Sequence, residues 1–210
     1  IGRVAAELFV AAGDEVFIVG RRAELLDEAA SEIGAVAVSG DVSTPHGVAD
    51  VAAALPETVD VLVNNAGGNA SAGRVAGSTS PVEELTAVAE QWNANWQANV
   101  LTAVLTTTAL TPRLADGGRV VTIGSIAAPQ GSGAYGAAKA ALESWNVGLA
   151  GRLGDRGITA NVVSPGLTED TEFFGGRLSD ERRSRLVAAT ATKRAGTPAD
   201  VAAVIVFLAS

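Results

Sequence analysis

Three side chains in the stretch from Gly118 to Leu142 could together move a proton. The stretch opens with a short β-branched run, which predicts a buried strand, and closes with an alanine-rich run, which predicts a helix. Ser125 follows the strand, while Tyr135 and Lys139 stand four residues apart at the helix start, on one face. Because open α/β sheets bind ligands just beyond the carboxyl ends of their strands, we expect the three side chains to converge there.

The chemistry available to this trio is acid–base chemistry at a carbonyl or alcohol oxygen. A tyrosine is a poor base near neutrality, since its ordinary pKa is about 10. We expect the Lys139 ammonium to favour the Tyr135 phenolate and to lower that pKa. Tyr135 could then exchange a proton with a substrate oxygen to which Ser125 hydrogen-bonds. Tyr-x-x-x-Lys spacing alone also fits an ordinary surface pair, so the rest of the chain must decide.

Composition restricts the class of protein. A length of 210 residues predicts a single domain over residues 1–210, with a sizeable core. The net charge of −8 argues against a nucleic-acid or anionic-membrane partner, and no apolar run is long enough to span a membrane. The absence of cysteine and the single histidine, His46, exclude thiol chemistry and predict no metal site. We expect a cytoplasmic protein, because a cysteine-free chain fits a reducing compartment.

Hydrophobic runs alternate between strand and helix patterns along the chain, which predicts an α/β fold, a doubly wound parallel sheet with right-handed crossovers. Thr197 is a plausible N-cap for the last helix, with Pro198 at its first position. The predicted strands are Glu15–Gly20, Ala35–Ser39, Val59–Val63, the run after Gly118, and Gly157–Ser164. The predicted helices are Ile1–Ala12, a segment after Arg22 that ends near Ile33, Pro45–Leu55, Pro81–Leu114 with a break near Gln91, the run after Tyr135, Ser179–Thr190 and Pro198–Ala209. Asn69–Ser80 is predicted to be a loop.

Further motifs follow one another in a fixed order over nearly the whole chain. They are Ile1-Gly2, Asp41-Val42, Asn64-Asn65-Ala66-Gly67, a helical Asn99, the trio Ser125, Tyr135 and Lys139, Pro165-Gly166, and Arg194-Ala195-Gly196-Thr197-Pro198. Together they resemble the short-chain dehydrogenase/reductase family, and among its members most closely the 3-oxoacyl carrier-protein reductases. The resemblance implies a single Rossmann-like domain that transfers hydride between a nicotinamide and a carbonyl or secondary-alcohol carbon.

The same resemblance implies roles for individual residues. Tyr135 would be the general acid in reduction and the base in oxidation, with Lys139 lowering its pKa and holding the nicotinamide ribose. Ser125 would orient the substrate oxygen, and Asn99 would fix a water that links Lys139 to solvent. Asn99 could instead merely satisfy buried backbone groups, and Asp41 could be an ordinary turn residue. The residues implied to bind the cofactor are Ile1, Gly2, Arg21, Arg22, Asp41, Val42, Asn65, Ala66, Gly67, Tyr135, Lys139, Pro165, Gly166 and Thr168.

The chain departs from the family pattern in places. The threonine that usually follows Pro-Gly is not cleanly placed, because Thr168 and Thr171 flank the expected position. The loop from Ser125 to Tyr135 is a few residues short, and the family's first and last strands have no counterpart. We therefore expect the sequence to be truncated at both ends, and an intact mass near 21.0 kDa would contradict that expectation.

The second strand predicts the cofactor. An acidic residue at its end suits NAD, whereas an arginine suits the 2′-phosphate of NADP. Here the strand ends at Gly20 and is followed by Arg21 and Arg22, and arginine makes forked contacts with phosphate. We predict a preference for NADP(H), with NAD(H) as the alternative in which both arginines are solvated.

Substrate and assembly are less determined by the sequence. The segment Leu167–Gly196 resembles a lid, with Phe173 and Phe174 able to line an apolar pocket and with Gly175 and Gly176 allowing movement. A small-molecule carbonyl or alcohol substrate is expected, used in the reductive direction. Relatives often assemble as dimers or tetramers through the helices that here carry Trp92, Trp96 and Trp145, so we expect a homo-oligomer, most simply a homotetramer. The alternatives are a non-catalytic dinucleotide-sensing regulator and an epimerase or dehydratase of the same fold.

Overall fold

In the computed structural model, residues 1–70, 80–175 and 178–210 are described. Helices and parallel strands alternate, as the hydrophobic pattern predicts. The strands are β1 (Phe17–Gly20), β2 (Val36–Ser39), β3 (Val59–Asn64), β4 (Leu114–Ile123) and β5 (Thr159–Val163). The helices are α1 (Gly2–Ala12), α2 (Ala23–Ile33), α3 (Pro45–Ala54), α4 (Pro81–Trp96), α5 (Thr102–Leu110), α6 (Gly133–Leu153), α7 (Asp180–Ala189) and α8 (Pro198–Ala209). The predicted α/β class is confirmed, although most of the predicted loop Asn69–Ser80, and Gly176 of the predicted lid, lie outside the described residues.

The strands form two parallel sheets rather than one continuous sheet. β1 pairs with β2 from Phe17–Val36 to Gly20–Ser39, and β3, β4 and β5 pair in that order. Among the described strands, β2 is the only partner of β1, and β4 is the only partner of β3. Predicted site residues follow strand ends in both sheets, since Arg21 and Arg22 follow β1, Asn65 follows β3 and Ser125 lies just beyond β4.

β4 is the most deeply buried strand, and its two faces carry two separate cores. Val120 and Val121 are both fully buried and point to opposite faces, because side chains alternate along a strand. One core packs the Val120 face against α5 and α6, with the members Leu62, Leu110, Leu114, Leu149, Leu153, Ile158 and Ala160. The other packs the Val121 face against α1 and α8, with the members Ala5, Ile123, Val201, Ala202 and Ile205. Helices on both faces of a parallel sheet are the doubly wound arrangement.

The long helix predicted from Pro81 to Leu114 is interrupted by a π-helical turn over Gln97–Leu101. The sequence placed a break near Gln91, so the break exists but lies one to two turns later. After α5, a 3₁₀ turn over Thr111–Arg113 leads directly into β4, which is longer than predicted. π turns inside helices are rare and often lie at functional sites, and this one contains Asn99.

Side-chain caps fix where several helices begin. The Thr197 hydroxyl accepts from the backbone N–H of Asp200, while the Asp200 carboxylate accepts from the Thr197 N–H, so the predicted N-cap of α8 is confirmed as a reciprocal capping box. Ser179 caps α7 with a single bond, in which its hydroxyl accepts from the Arg182 N–H. α1 ends as predicted at Gly13, which adopts the left-handed conformation with φ 97°.

Candidate active site

The strand–loop–helix stretch brings Ser125 and Tyr135 together. Ser125 lies two residues beyond the end of β4, and its hydroxyl accepts from the Ala127 N–H at 3.1 Å, which holds the start of the loop. α6 begins at Gly133, so Tyr135 lies in its first turn, where the Ser125 side chain is close enough to act on the Tyr135 pKa. The loop returns tightly onto the helix, because a Cβ at Gly136 would lie only 2.5 Å from the Ala127 carbonyl oxygen. The predicted pair of hydroxyls is therefore a contact in the structure.

The ionisation of Tyr135 differs from the sequence prediction. Burial raises the pKa of Tyr135, and the hydrogen bond from Ser125 opposes that rise only in part. The expected lowering by Lys139 is wrong for this structure, because the Lys139 ammonium lies 5.9 Å from the ring centroid and donates elsewhere. In this arrangement Tyr135 keeps its proton at neutral pH, which suits a general acid more than a base.

Lys139 is a buried cation on the same face of α6. Its ammonium donates to the Ile123 carbonyl oxygen at 2.7 Å, at the last residue of β4, and only 4% of the residue is exposed. Burial lowers the pKa of Lys139 to about 8. The spacing of four residues therefore places Tyr135 and Lys139 together as predicted, with the lysine beneath the tyrosine and against the strand end.

The loop after β3 lies across Lys139 and Asn99. A Cβ at Gly67 would stand 2.7 Å from the Asn99 side-chain oxygen and 3.4 Å from the Lys139 ammonium nitrogen. The Asn99 oxygen accepts from the Gly68 N–H at 3.1 Å, and its amide donates to the Gly68 carbonyl at 2.9 Å. Asn99 thus satisfies buried backbone groups, which is the alternative role considered from the sequence. Its link to a water between Lys139 and solvent stays a prediction.

The first asparagine of the Asn64–Gly67 motif has a different role from the second. Asn64 is buried and donates to the Thr107 hydroxyl at 2.9 Å, which ties β3 to α5. Asn65 is exposed and faces the start of α1, where a Cβ at Gly2 would lie 2.5 Å from the Asn65 amide nitrogen. Ala66 and Gly67 are exposed beside it.

These close approaches show that the residues present fit a dinucleotide. Side chains are excluded at Gly2 and Gly67, while the space around Gly68 is open, so the backbone can approach a ligand here. The amino end of α1 begins at this corner, and helix amino ends favour phosphate groups. A buried ammonium, Lys139, lies within reach of the same loop.

The two arginines after β1 have different partners. The Arg21 guanidinium contributes to lowering the pKa of Asp41, although the larger cause is hydrogen bonding from Ser43. The Asp41 carboxylate accepts from both the N–H and the hydroxyl of Ser43, at 3.0 and 2.7 Å, and so forms the turn before α3. Arg22 instead forms an ion pair with Glu172 at 2.9 Å, and both side chains are exposed. Each arginine at the carboxyl end of β1 thus faces a carboxylate, and the preference for NADP(H) stays a prediction.

The Pro165-Gly166 motif follows β5 and leads into the predicted lid. Thr168 is buried, and its hydroxyl donates to the Gly166 carbonyl at 3.3 Å, while the Thr171 hydroxyl donates to the Thr168 carbonyl. Both threonine hydroxyls are thus hydrogen-bonded within the turn itself, and a contact of Thr168 with the cofactor stays a prediction. The turn is held against the segment before α8 by two hydrogen bonds between Leu167, Glu169 and Gly196.

The predicted lid reaches Tyr135. A 3₁₀ turn over Glu172–Phe174 places the Phe173 ring 5.5 Å from the Tyr135 ring, centroid to centroid. The apolar pocket expected at Phe173 and Phe174 stays a prediction. The neighbouring Glu172 is the partner of Arg22, so one short turn contacts both the acid–base group and the predicted phosphate-binding arginine.

Sequence reasoning missed several residues of the site. The Ile123 carbonyl binds Lys139, Glu172 pairs with Arg22, and Asn95 and Thr102 hold the loop after β3. The sequence gives no local sign of the first two, because any residue has a backbone carbonyl and Glu172 lies 150 residues from Arg22. Asn95 did leave one, because it stands four residues before Asn99 and therefore on the same helix face.

Comparisons with known proteins agree with this geometry. The family profile described as enoyl-(acyl carrier protein) reductase matches residues 1–210. The 3-oxoacyl-[acyl-carrier-protein] reductase of Escherichia coli is 31% identical over 229 residues, which cover 100% of this chain and 85% of that protein. A short-chain dehydrogenase of Burkholderia cenocepacia in complex with NADP is 33% identical with a TM-score of 0.82, over 100% of this chain and 85% of that one. A blue fluorescent protein from a metagenomic library, in complex with NADPH, is 30% identical with a TM-score of 0.81, over 99% and 85% of the two chains.

The fold and the site together define an NAD(P)-dependent oxidoreductase. Within that class, the chain belongs to the short-chain dehydrogenase/reductase family, as the family profile and the similar sequences show. Within the described residues, no helix is both long and apolar enough to cross a membrane.

The burial of Lys139 predicts a specific dependence of stability on pH. The folded state releases this proton near pH 8, whereas the unfolded chain keeps it until about 10.5, so the unfolding free energy gains a contribution as pH rises between those values. Lys139→Met removes this contribution. Urea unfolding of both proteins from pH 7 to 10 should show the wild type gaining stability relative to the variant as pH rises. A stability difference that is constant over this range would contradict the burial of a charged Lys139.

Proposed function

We propose that this protein is an NADPH-preferring reductase of a small-molecule carbonyl group. The observation that carries the proposal is the contact between the hydroxyls of Tyr135 and Ser125 above the buried Lys139. When bound, the nicotinamide supplies the hydride, and the protein handles the proton and orientation. In the reductive direction that we propose, Tyr135 is the proton donor to the carbonyl oxygen.

The chain's own residues divide the remaining tasks. Ser125 donates a hydrogen bond to the substrate oxygen and aligns it with the Tyr135 hydroxyl, which then gives its proton to that oxygen. Lys139 provides positive charge beneath the developing phenolate and, with Asn65, Ala66 and Gly67, a surface for the nicotinamide ribose. The Phe173 ring packs at a tilt against the Tyr135 ring and limits the access of water on that side.

The remaining cofactor residues line the route of the dinucleotide in this proposal. Ile1 and Gly2 at the amino end of α1 receive the pyrophosphate, and Asp41 and Val42 lie beside the adenine. Pro165, Gly166 and Thr168 face the nicotinamide carboxamide through their backbone.

The first test is turnover with a substrate panel. NADPH and NADH oxidation is followed at 340 nm with ketones and with 3-oxoacyl thioesters, because the Escherichia coli relative is a 3-oxoacyl-[acyl-carrier-protein] reductase. Tyr135→Phe should lower kcat by about 10² to 10⁴-fold through loss of the proton donor, with dinucleotide affinity unchanged. Retained turnover in Tyr135→Phe would overturn the assignment. Tight NADPH binding without turnover on any substrate would instead support a dinucleotide-sensing protein.

Cofactor preference is tested at Arg22. Arg22→Ala should raise KM for NADPH about tenfold and leave KM for NADH almost unchanged, because a charge-assisted hydrogen bond to the 2′-phosphate is lost. Glu172→Gln is the matched control, since it breaks the same ion pair and keeps the arginine. If Glu172→Gln reproduces the NADPH defect, the ion pair rather than the phosphate explains it. A wild-type preference for NADH would contradict the proposal.

We also propose a homotetramer that assembles through α4 and α6. α4 exposes a stripe of apolar side chains, Val82, Leu85, Val88, Trp92 and Trp96, and the adjacent α6 exposes Val147. Large exposed apolar patches mark interaction surfaces. Leu85→Asp should therefore reduce the mass measured by sedimentation velocity, whereas Leu25→Asp, at an exposed leucine of α2, should leave it unchanged. A monomeric wild type would contradict this assembly.

A cytoplasmic location completes the proposal. It is supported by the cysteine-free composition, which suits a reducing compartment. Recovery of the protein outside the cytoplasm in cell fractionation would contradict it.

A further inference from the structure

Three polar side chains on one face of the interrupted helix hold the loop that follows β3. Asn95 is the last but one residue of α4, Asn99 lies in the π turn, and Thr102 begins α5. The spacing of four and then three residues places all three on a common face, and all three are buried, the two asparagines completely. We call this set the loop-holding ladder.

The ladder contacts alternate residues of the loop. Asn95 accepts from the Ala70 N–H at 3.2 Å, and Asn99 exchanges two hydrogen bonds with the backbone of Gly68. The Thr102 hydroxyl lies 3.3 Å from the Ala66 carbonyl oxygen, although the carbonyls of Ala98 and Asn99 in its own helix are slightly closer, at 3.2 and 3.1 Å. The asparagine contacts therefore hold the loop at Gly68 and Ala70, and Thr102 lies against its start at Ala66.

Asn95 is also joined to Asn99 within the helix. Its amide nitrogen donates to the Gln91 carbonyl at 2.9 Å, and its backbone carbonyl accepts from the Asn99 amide at 2.9 Å. The Gln91 contact fixes the orientation of the Asn95 side chain, so its oxygen is aimed at Ala70. Buried polar side chains of this kind are costly unless they are hydrogen-bonded.

The loop matters because of what Gly67 touches. Gly67 lies between the ladder and α6, close enough that a Cβ there would contact both Asn99 and the Lys139 ammonium. A shift of the loop by a few tenths of an ångström would change the surface that Gly67 and Lys139 share. Ala70 lies three residues beyond Gly67 in the same loop, and its N–H donates to Asn95.

We propose that Asn95 is a positioning residue for the reaction: it anchors Ala70, and through it the backbone of residues 66–70, so that Gly67 stays packed on Asn99 and Lys139. This inference rests on the proposed function in so far as Gly67 and Lys139 face the dinucleotide. Asn95 touches neither cofactor nor substrate in this arrangement and acts through the loop.

Two variants remove the anchoring hydrogen bond from opposite sides. Asn95→Leu keeps a similar volume and removes the acceptor, while Ala70→Pro removes the N–H donor at an exposed position. Asn146→Leu is the matched control, because Asn146 is another buried helical asparagine that donates to a backbone carbonyl, that of Ala160, away from the loop.

The first measurement is backbone amide exchange of wild type and variants without added dinucleotide. Asn95→Leu and Ala70→Pro should each speed exchange at Gly68 by about tenfold, since the loop loses one of its anchors. Asn146→Leu should leave the Gly68 amide unchanged. If Asn95→Leu does not fold, Ala70→Pro decides alone. Unchanged exchange at Gly68 overturns the proposal whatever the dinucleotide results are.

The second measurement is the split between KM and kcat. Asn95→Leu and Ala70→Pro should raise KM for NADPH about fivefold to tenfold, with a smaller loss of kcat, because the loop is displaced while Tyr135 and Ser125 keep their contact. The double variant should be no worse than either single one, as expected for two partners of one hydrogen bond. Additive effects, or a KM rise equal to that of Asn146→Leu, would overturn the positioning role. If wild type binds no dinucleotide at all, the proposed function fails separately.

Discussion

The hydrogen bond from Lys139 to the end of β4 is the interaction on which the site depends. A cation in this position must be excluded from water and still be given a partner, because an unpaired buried charge is strongly unfavourable. The Ile123 carbonyl, at the last residue of β4, supplies that partner at 2.7 Å. The Lys139 nitrogen is carried by α6 and contacts the end of β4, and the loop at Gly67 lies beside it. Its position therefore depends on how α6 and this loop pack against β4.

The same burial changes the pKa values of both Tyr135 and Lys139, in opposite directions. Removing solvent disfavours the charged form of each group, so the pKa of the phenol rises and that of the ammonium falls. The nearby Lys139 ammonium, acting alone, would lower the pKa of the Tyr135 phenol. In this structure desolvation dominates, and a bound dinucleotide would enter a site where both groups are nearer to neutral than they are in water.

The sequence predicted the parts of this site that are local. Residue spacing placed Tyr135 and Lys139 on one face, and strand ends placed Ser125 beside them. The N-cap at Thr197 was predictable because it depends only on the side-chain types of a few consecutive residues. The break in the long helix was predicted near Gln91 and lies at Gln97–Leu101, where Asn99 bonds to a loop that is distant in sequence and leaves no mark in the composition. The direction of the Tyr135 pKa and the Arg22–Glu172 ion pair depend on burial and on distant chain segments, which no local pattern reports.

The strands that carry the two arginines contact the rest of the protein through helices. α2 packs on both β1 and β2, and α3 packs on β2 and also on α5. A substitution that shifts α3 against α5 would therefore change the distance from Arg21 and Arg22 to Tyr135 without altering a residue that any of them touches.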